Sequence, residues 1–301
     1  MRRHEKRRLI TGAISFAFSN GYLAGFYKRA AGGNLYRGAL KKLCLPGLNC
    51  YSCPGAIASC PIGALQAVLS GGAYRLSLYV LGFIGLTGML FGRLICGWVC
   101  PFGFLQELLY KIPGVKKRKS LPGHRVLTRL KYVILGLTVL IPMAGSIIKG
   151  TGYPAFCAFL CPDGTLLGAV PQLILNPSLR SAAGARFIVK LAVLLAVLFA
   201  AVKSYRPFCK YLCPLGALYA LCNPVSLYRY RIDENKCTGC GTCERVCLMD
   251  IRVREAPNAR ECIRCGRCKA ACPEKAIVSS REDLEAKLIL GGKEAGNRGG
   301  E

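Results

Sequence analysis

The sequence predicts an α-helical membrane protein, with about four transmembrane helices in two similar halves, that ends in a small α+β domain. Three observations carry this expectation. The 301-residue chain is 52% hydrophobic with four long apolar segments, a short cysteine motif recurs between them, and eight cysteines crowd the region before the C-terminus. Long apolar stretches poor in charge are the mark of membrane proteins.

The apolar segments are roughly Leu9–Tyr27, Ser77–Ile95, Leu130–Ile148 and Arg186–Ser204. Each approaches the length needed to cross a hydrocarbon core. The first is the weakest, with Ser15, Ser19 and Asn20 inside it. Arg93 and Lys190 lie near one end of the second and fourth, where a long side chain can snorkel. A buried core helix is the alternative for each segment, but four in one chain with basic flanks favour spans. A basic start followed by an apolar stretch also has the shape of a signal peptide. No small-residue cleavage site is clear and further membrane segments follow, so an uncleaved first helix is expected.

The balance of 42 Lys and Arg against 15 Asp and Glu, a net charge of +27, could suggest nucleic acid. The basic residues instead flank the apolar segments, as in cytoplasmic loops, and no nucleic-acid partner is expected. Five Lys or Arg fall within the first eight residues, and eight between Lys111 and Lys131. Both regions are expected on the cytoplasmic side of the cell (inner) membrane. With four spans, the C-terminal domain joins them there. The loop from Lys28 to Arg75, with six basic residues, runs against this pattern because it should lie outside.

The tetrad Cys-Pro-x-Gly occurs four times, at Cys60, Cys100, Cys161 and Cys213. Three copies have a second cysteine four residues earlier: Cys96, Cys157 and Cys209. The Cys60 copy instead has Cys50 and Cys53 upstream. Proline after a ligand fixes the turn and can open a helix, and glycine lets other groups approach closely. The repeat divides a membrane domain, residues 1–228, into halves of about 1–110 and 130–222. Two spans per half would relate the halves by an axis along the membrane normal. Cys96, Cys100, Cys209 and Cys213 should then meet on the cytoplasmic side. Cys53, Cys60, Cys157 and Cys161 should meet on the other side, as candidates for a fourth cluster, with Cys50 as a rival ligand. Cys44 and Cys222 fit no motif.

The C-terminal run reads Cys237-x2-Cys240-x2-Cys243-x3-Cys247, then Cys262-x2-Cys265-x2-Cys268-x3-Cys272-Pro273. This is the bacterial two-cluster ferredoxin spacing, in which the fourth cysteine of each run ligates the other [4Fe–4S] cluster. Cluster I is expected on Cys237, Cys240, Cys243 and Cys272, and cluster II on Cys247, Cys262, Cys265 and Cys268. A zinc site uses four ligands in two separated pairs, and disulfide frameworks belong to oxidising compartments, so both fit this density less well. Leu248 stands where a proline would follow Cys247. The ferredoxin domain is expected over 229–280, and the polar, glycine-rich tail 281–301 as a short helix followed by disorder.

With these motifs in place, the chain resembles the NapH-type membrane polyferredoxins and the membrane half of nitrous-oxide reductase maturation proteins. The resemblance rests on Cys96/Cys100, Cys209/Cys213 and the run from Cys237 to Cys272, and covers Ser77 to Pro273. It implies a four-helix electron-transfer component linked to quinol oxidation. The pair Cys157/Cys161 and the segment Cys50-Tyr-Ser-Cys53-Pro depart from that pattern.

Other cofactors lack their residues. There is no Cys-x-x-Cys-His, and His4 and His124 lie among polar and basic residues, which argues against haem. A Rieske centre needs two histidines beside two cysteines. No dinucleotide fingerprint, P-loop or hydrolase motif is present, so neither flavin nor nicotinamide is evident and no catalytic residue is expected. The sequence therefore predicts an electron-transfer component more than a free-standing enzyme, passing electrons between a membrane donor such as quinol and a redox partner. An acidic redox protein could dock on Arg245, Arg252, Arg254, Arg260, Arg264, Arg267 and Lys269. A quinone-binding enzyme subunit and a redox sensor or maturation accessory with labile clusters are the alternatives.

Overall fold

The computed structural model describes residues 2–21, 38–71, 78–280 and 282. Residues 22–27 of the first apolar segment, part of the loop that follows it, and the tail apart from Glu282 lie outside the described residues. Among the described residues ten α-helices form the larger part: α1 Arg2–Ser19, α2 Pro61–Ser70, α3 Leu78–Phe91, α4 Leu94–Trp98, α5 Pro101–Tyr110, α6 His124–Lys149, α7 Val170–Leu175, α8 Ala185–Lys203, α9 Pro207–Tyr211 and α10 Pro214–Cys222. Helices α2, α5 and α10 each begin on the proline of a Cys-Pro-x-Gly tetrad, with the cysteine as N-cap. Proline suits that position because its missing N–H would have no helical partner there. The Cys161 copy differs, because it sits between two π-helical segments, Phe156–Leu160 and Gly164–Ala169.

Helices α6 and α8 are long and apolar enough to cross a membrane. Helix α3 has 14 residues, and α1 opens on six charged residues among Arg2–Arg8. Two of the four expected spans therefore meet the length and composition of a crossing helix. All four helices nevertheless turn large apolar side chains outward. Ile10, Ile14 and Phe18 of α1, Leu81 and Met89 of α3, Val133 and Leu137 of α6, and Leu195 and Phe199 of α8 point outward. Arg8 of α1 and Lys131 of α6 point inward and are 2% and 0% exposed.

The two halves pack reciprocally. Helix α5 lies against α8 and α10 against α3, while α1 lies against α5 and α6 against α10. Each helix that follows a cysteine pair thus packs on the helix that precedes the pair of the other half.

The C-terminal part pairs β1, Tyr230–Ile232, antiparallel with β2, Ile277–Ser279, in the register Tyr230 to Ser279. Two short helices, α11 Thr242–Arg245 and α12 Arg267–Ala271, follow Gly241 and Gly266, both in the left-handed region. Those glycines occupy equivalent places in the two cysteine runs. Tyr230, Val253, Cys268 and Ile277 form the small core.

The N-terminus, the 111–123 connection and the ferredoxin part gather at one end of the helices. Arg267 pairs with Glu5 at 3.0 Å, Ser120 donates to Asp250 at 2.7 Å, and Lys119 donates to the Glu244 carbonyl. Trp98 donates its ring N–H to the Arg264 carbonyl at 3.1 Å. At Gly97 a Cβ would fall 2.3 Å from the Ile263 carbonyl oxygen, so α4 rests directly on the loop holding Cys262 and Cys265. Gly97→Ala must push two backbones apart, and such overpacking costs about 1–3 kcal/mol. Its thermal midpoint is expected to fall clearly below that of wild type. Gly136→Ala, whose added methyl meets nothing within 4 Å, is the control and should not lower it.

Candidate iron–sulfur centres

The ferredoxin part holds two small cavities. One is lined by Cys237, Cys240, Cys243 and Cys272, the other by Cys247, Cys262, Cys265 and Cys268. Each set joins both runs, as the spacing predicts. Cys240 is exposed and Cys268 is buried, so the first site faces solvent and the second faces the helices. Burial pushes the Cys262 thiol up to about 12. A thiolate there needs a compensating cation, which iron supplies. All 19 cysteines are free, and among the described residues no three acidic, Cys or His groups converge on a single ion. Thiols spread around a void suit a cage of several irons better than one ion.

A third group lies between the halves. Cys96, Cys100, Cys209 and Cys213 are each at most 7% exposed. Cys213 sits within electrostatic reach of the other three, and Cys100 of Cys96 and Cys209. The sequence repeat brings these four together across 113 residues of chain.

Two arginines hold this group, and they exchange places between the halves. Arg93 stands three residues before Cys96 and donates to the carbonyl of Cys209 at 2.9 Å. Arg206 stands three residues before Cys209 and donates to the carbonyl of Cys96. The glycine of each tetrad makes room for this crossing. A Cβ on Gly103 would lie 3.0 Å from Arg206 Nη1, and one on Gly216 would lie 3.5 Å from Arg93 Nη2. The close approach expected at these glycines is thus by the opposing guanidinium. Arg93 was expected to snorkel at a span end. It is instead fully buried, because its partners lie inside the protein.

Each arginine also meets a carboxylate shared with a cation from a long helix. Glu107 bonds Arg206 at 2.8 Å and Arg8 of α1. Glu261 bonds Arg93 at 2.7 Å and Lys131 of α6 at 2.6 Å. Burial disfavours the ionised form of both carboxyls, but Arg206 and Arg8 in one case, and Arg93 and Lys131 in the other, outweigh it. Both stay below the usual carboxylate range. Gln106 donates to Cys209 Sγ at 3.2 Å, and the Leu48 amide to Cys100 Sγ at 3.4 Å. Donors to sulfur and nearby cations both favour the reduced state of a cluster. The signal for the arginine pair was present in the sequence as a shared Arg-x-x-Cys-x3-Cys-Pro.

The expected docking face changes. Arg264 is fully buried and donates to the carbonyls of Phe91 at 2.9 Å and Asn223 at 2.7 Å. Arg267 pairs with Glu5, and Lys269 with Glu282. Arg264 and Arg267 therefore fasten the ferredoxin part to the helices, because this domain turns its cluster II side inward. Arg245, Arg252, Arg254 and Arg260 remain exposed.

The fourth group lies at the opposite end of the helices, in a cavity of about 990 Å³ lined by Cys50, Cys60, Cys157 and Cys161. Cys53 does not line it. The Cys53 amide bonds the Cys50 carbonyl in a tight turn, and Cys53 Sγ lies 3.5 Å from Asn20 Oδ1. The rival thiol, Cys50, is the one that faces the other three. Cys44 also lines this cavity, whereas Cys222 packs against Gly88.

Comparison with known proteins points to the same cofactor class. Residues 72–120, 132–175 and 187–227 match one 4Fe-4S binding domain family, and each segment contains one Cys-x3-Cys-Pro pair. Residues 230–247 match a second family with the same description. Two uncharacterized proteins of Methanocaldococcus jannaschii are similar to the chain. One is 35% identical over 67% of this chain and 67% of its own length, the other 30% over 73% and 86%. The ferredoxin-type protein NapH of Escherichia coli is 24% identical over 75% of this chain and 76% of its own length. The chain belongs to the NapH-type 4Fe-4S polyferredoxins. Its cofactors are [4Fe–4S] clusters. In this polyferredoxin Cys96, Cys100, Cys209 and Cys213 are all buried, whereas among Cys247, Cys262, Cys265 and Cys268 only Cys268 is. No solved structure matches the chain.

Proposed function

We propose that this polyferredoxin is an integral membrane electron carrier that passes electrons between a quinol-class donor in the bilayer and a redox partner at the ferredoxin end. The observation that carries this reading is the order of the four thiol groups along the molecule. The distal cavity lies farthest from the ferredoxin part, then Cys96/Cys100/Cys209/Cys213, then cluster II, then cluster I at the surface. Neighbouring groups are close. Tyr219, fully buried, lies within electrostatic reach of Cys96 and Cys100 on one side and Cys60 on the other. Gly97, next to Cys96, touches the loop between Cys262 and Cys265.

Four spans, built on α1, α3, α6 and α8, are supported by the outward apolar rows of all four helices and by the inward cations Arg8 of α1 and Lys131 of α6, an arrangement that suits a bilayer. The basic N-terminus and the basic 111–131 connection support a cytoplasmic place for the ferredoxin end. The halves 1–110 and 130–222 share the cluster between them, and each supplies two of its thiols. The ligand sets are those given above, with Cys50 in place of Cys53 in the distal group.

The test is reduction of the purified, cluster-loaded protein by a short-chain quinol, followed by EPR and visible bleaching. The reading predicts that quinol reduces at least one cluster reversibly, without loss of iron. Clusters that respond to dithionite but to no quinol would remove the donor from this account. Clusters that break down on mild oxidation would favour a sensor.

A further inference from the structure

The distal group departs from the proximal one in its fourth corner. In three copies of the repeat a cysteine stands four residues before the Cys-Pro, but before Cys60 that position is Ala56, itself fully buried. The repeat therefore fixes three distal thiols, Cys60, Cys157 and Cys161. The remaining corner is filled by two groups outside the pattern.

One is Cys50, carried in from a loop. Its Sγ lies 3.3 Å from where a Cβ on Gly164 would stand and 3.6 Å from one on Gly168, so two glycines of the same helical stretch admit it. The other is Asp163. It occupies the variable place of Cys-Pro-x-Gly, where the other copies carry Ile62, Phe102 and Leu215, each at most 2% exposed. Asp163 is equally buried and lines the cavity, and neither carboxylate oxygen makes a full hydrogen bond; the backbone N–H of Cys50 lies beside it. Lys41 and Lys190 line the same cavity, but among the described residues neither forms an ion pair with Asp163. A buried carboxylate this poorly hydrogen-bonded is costly, and such groups mark a missing ligand or ion. Carboxylate oxygen is a competent iron ligand, harder than thiolate.

We propose that the distal cluster is site-differentiated: Cys60, Cys157 and Cys161 each hold one iron, and the fourth iron is held by Cys50 together with the Asp163 carboxylate. This rests on the reading of the distal cavity as a cluster site. The oxygen ligand makes that iron the one corner in the chain that is not bound by thiolate alone.

The test compares iron and sulfide content and EPR of full-length, cluster-loaded variants. Cys60→Ala should lose one whole [4Fe–4S] equivalent. Cys50→Ala should keep a four-iron cluster with an altered EPR signal, because Asp163 still holds the corner. Asp163→Leu, which restores the apolar residue of the other copies, should also keep four irons with a shifted signal. The double variant should lose only the fourth iron and show the oxidised three-iron EPR signature. Signals from the ferredoxin and proximal clusters must persist in each, which verifies folding. Cys50→Ala losing as much iron as Cys60→Ala, or Asp163→Leu leaving the distal signal unchanged, would overturn the shared corner. Iron content in Cys60→Ala equal to wild type would instead overturn the distal cluster itself.

Discussion

Glu107→Leu is expected to cost the protein several kcal/mol and much of its folded yield. Glu107 is 2% exposed and takes Arg206 and Arg8, each also 2% exposed, as partners. Removing one side of a buried ion pair costs about 3–5 kcal/mol, because the charge left behind has neither water nor a partner. Here Arg206 and Arg8 would lose their carboxylate and keep only neutral acceptors, the Cys96 carbonyl and the Tyr205 hydroxyl among them, and Arg267 would lose a carboxylate 3.6 Å away. Thermal unfolding in detergent, with the proximal EPR signal as a second reading, measures the loss. Glu255→Leu is the contrast. Its pair with Arg252 is 67% and 73% exposed, and such surface pairs contribute about 0–1 kcal/mol. Equal midpoints for the two variants would mean that Glu107 does not hold the junction.

The same buried layer bears on the clusters. Arg8, Arg93, Arg206, Arg264 and Lys131 are all nearly or fully buried near the junction, against the carboxylates Glu107 and Glu261. The excess positive charge faces Cys96, Cys209 and Cys265. Anionic thiolate clusters balance it, so the fold and the cofactors stabilise each other, as in other metal-coupled folding.

Local spacing made part of this legible in the sequence. Which four cysteines line each small cavity of the ferredoxin part was legible in the two runs, because the spacing sends the fourth cysteine of each run to the other group. The meeting of Cys96/Cys100 with Cys209/Cys213 followed from the repeat, since two thiols per half cannot hold a cubane. What stayed hidden depends on contacts between distant segments. Arg93 looked like a snorkelling residue because its partners, Cys209 and Glu261, are more than a hundred positions away. Arg264 counted as a surface charge because nothing local shows that its loop turns toward Phe91. The sequence placed Cys53 in the distal group with Cys50 as its rival, and the fold puts Cys50 on the cavity wall instead, because no local signal shows which thiol meets Gly164 and Gly168. The first apolar segment was weak for a reason that the fold makes plain. Ser19 and Asn20 are buried, and α1 is polar on the side that packs against the protein.

The paired halves are tested most directly by Cys96→Ala and Cys209→Ala. Alanine is the right replacement, because a serine oxygen could still ligate iron. The two residues belong to different halves, yet each is a neighbour of both Cys100 and Cys213. Each half contributes two thiolates, and a [4Fe–4S] cluster takes four. Iron content and EPR should be measured for both single variants and the double. The account predicts that each single variant loses one cluster equivalent, that the same EPR signal disappears in both, and that the double loses no more than either. The ferredoxin signals should remain as an internal standard. Two different signals lost, or a double variant that loses twice the iron of a single one, would contradict a cluster shared between the halves.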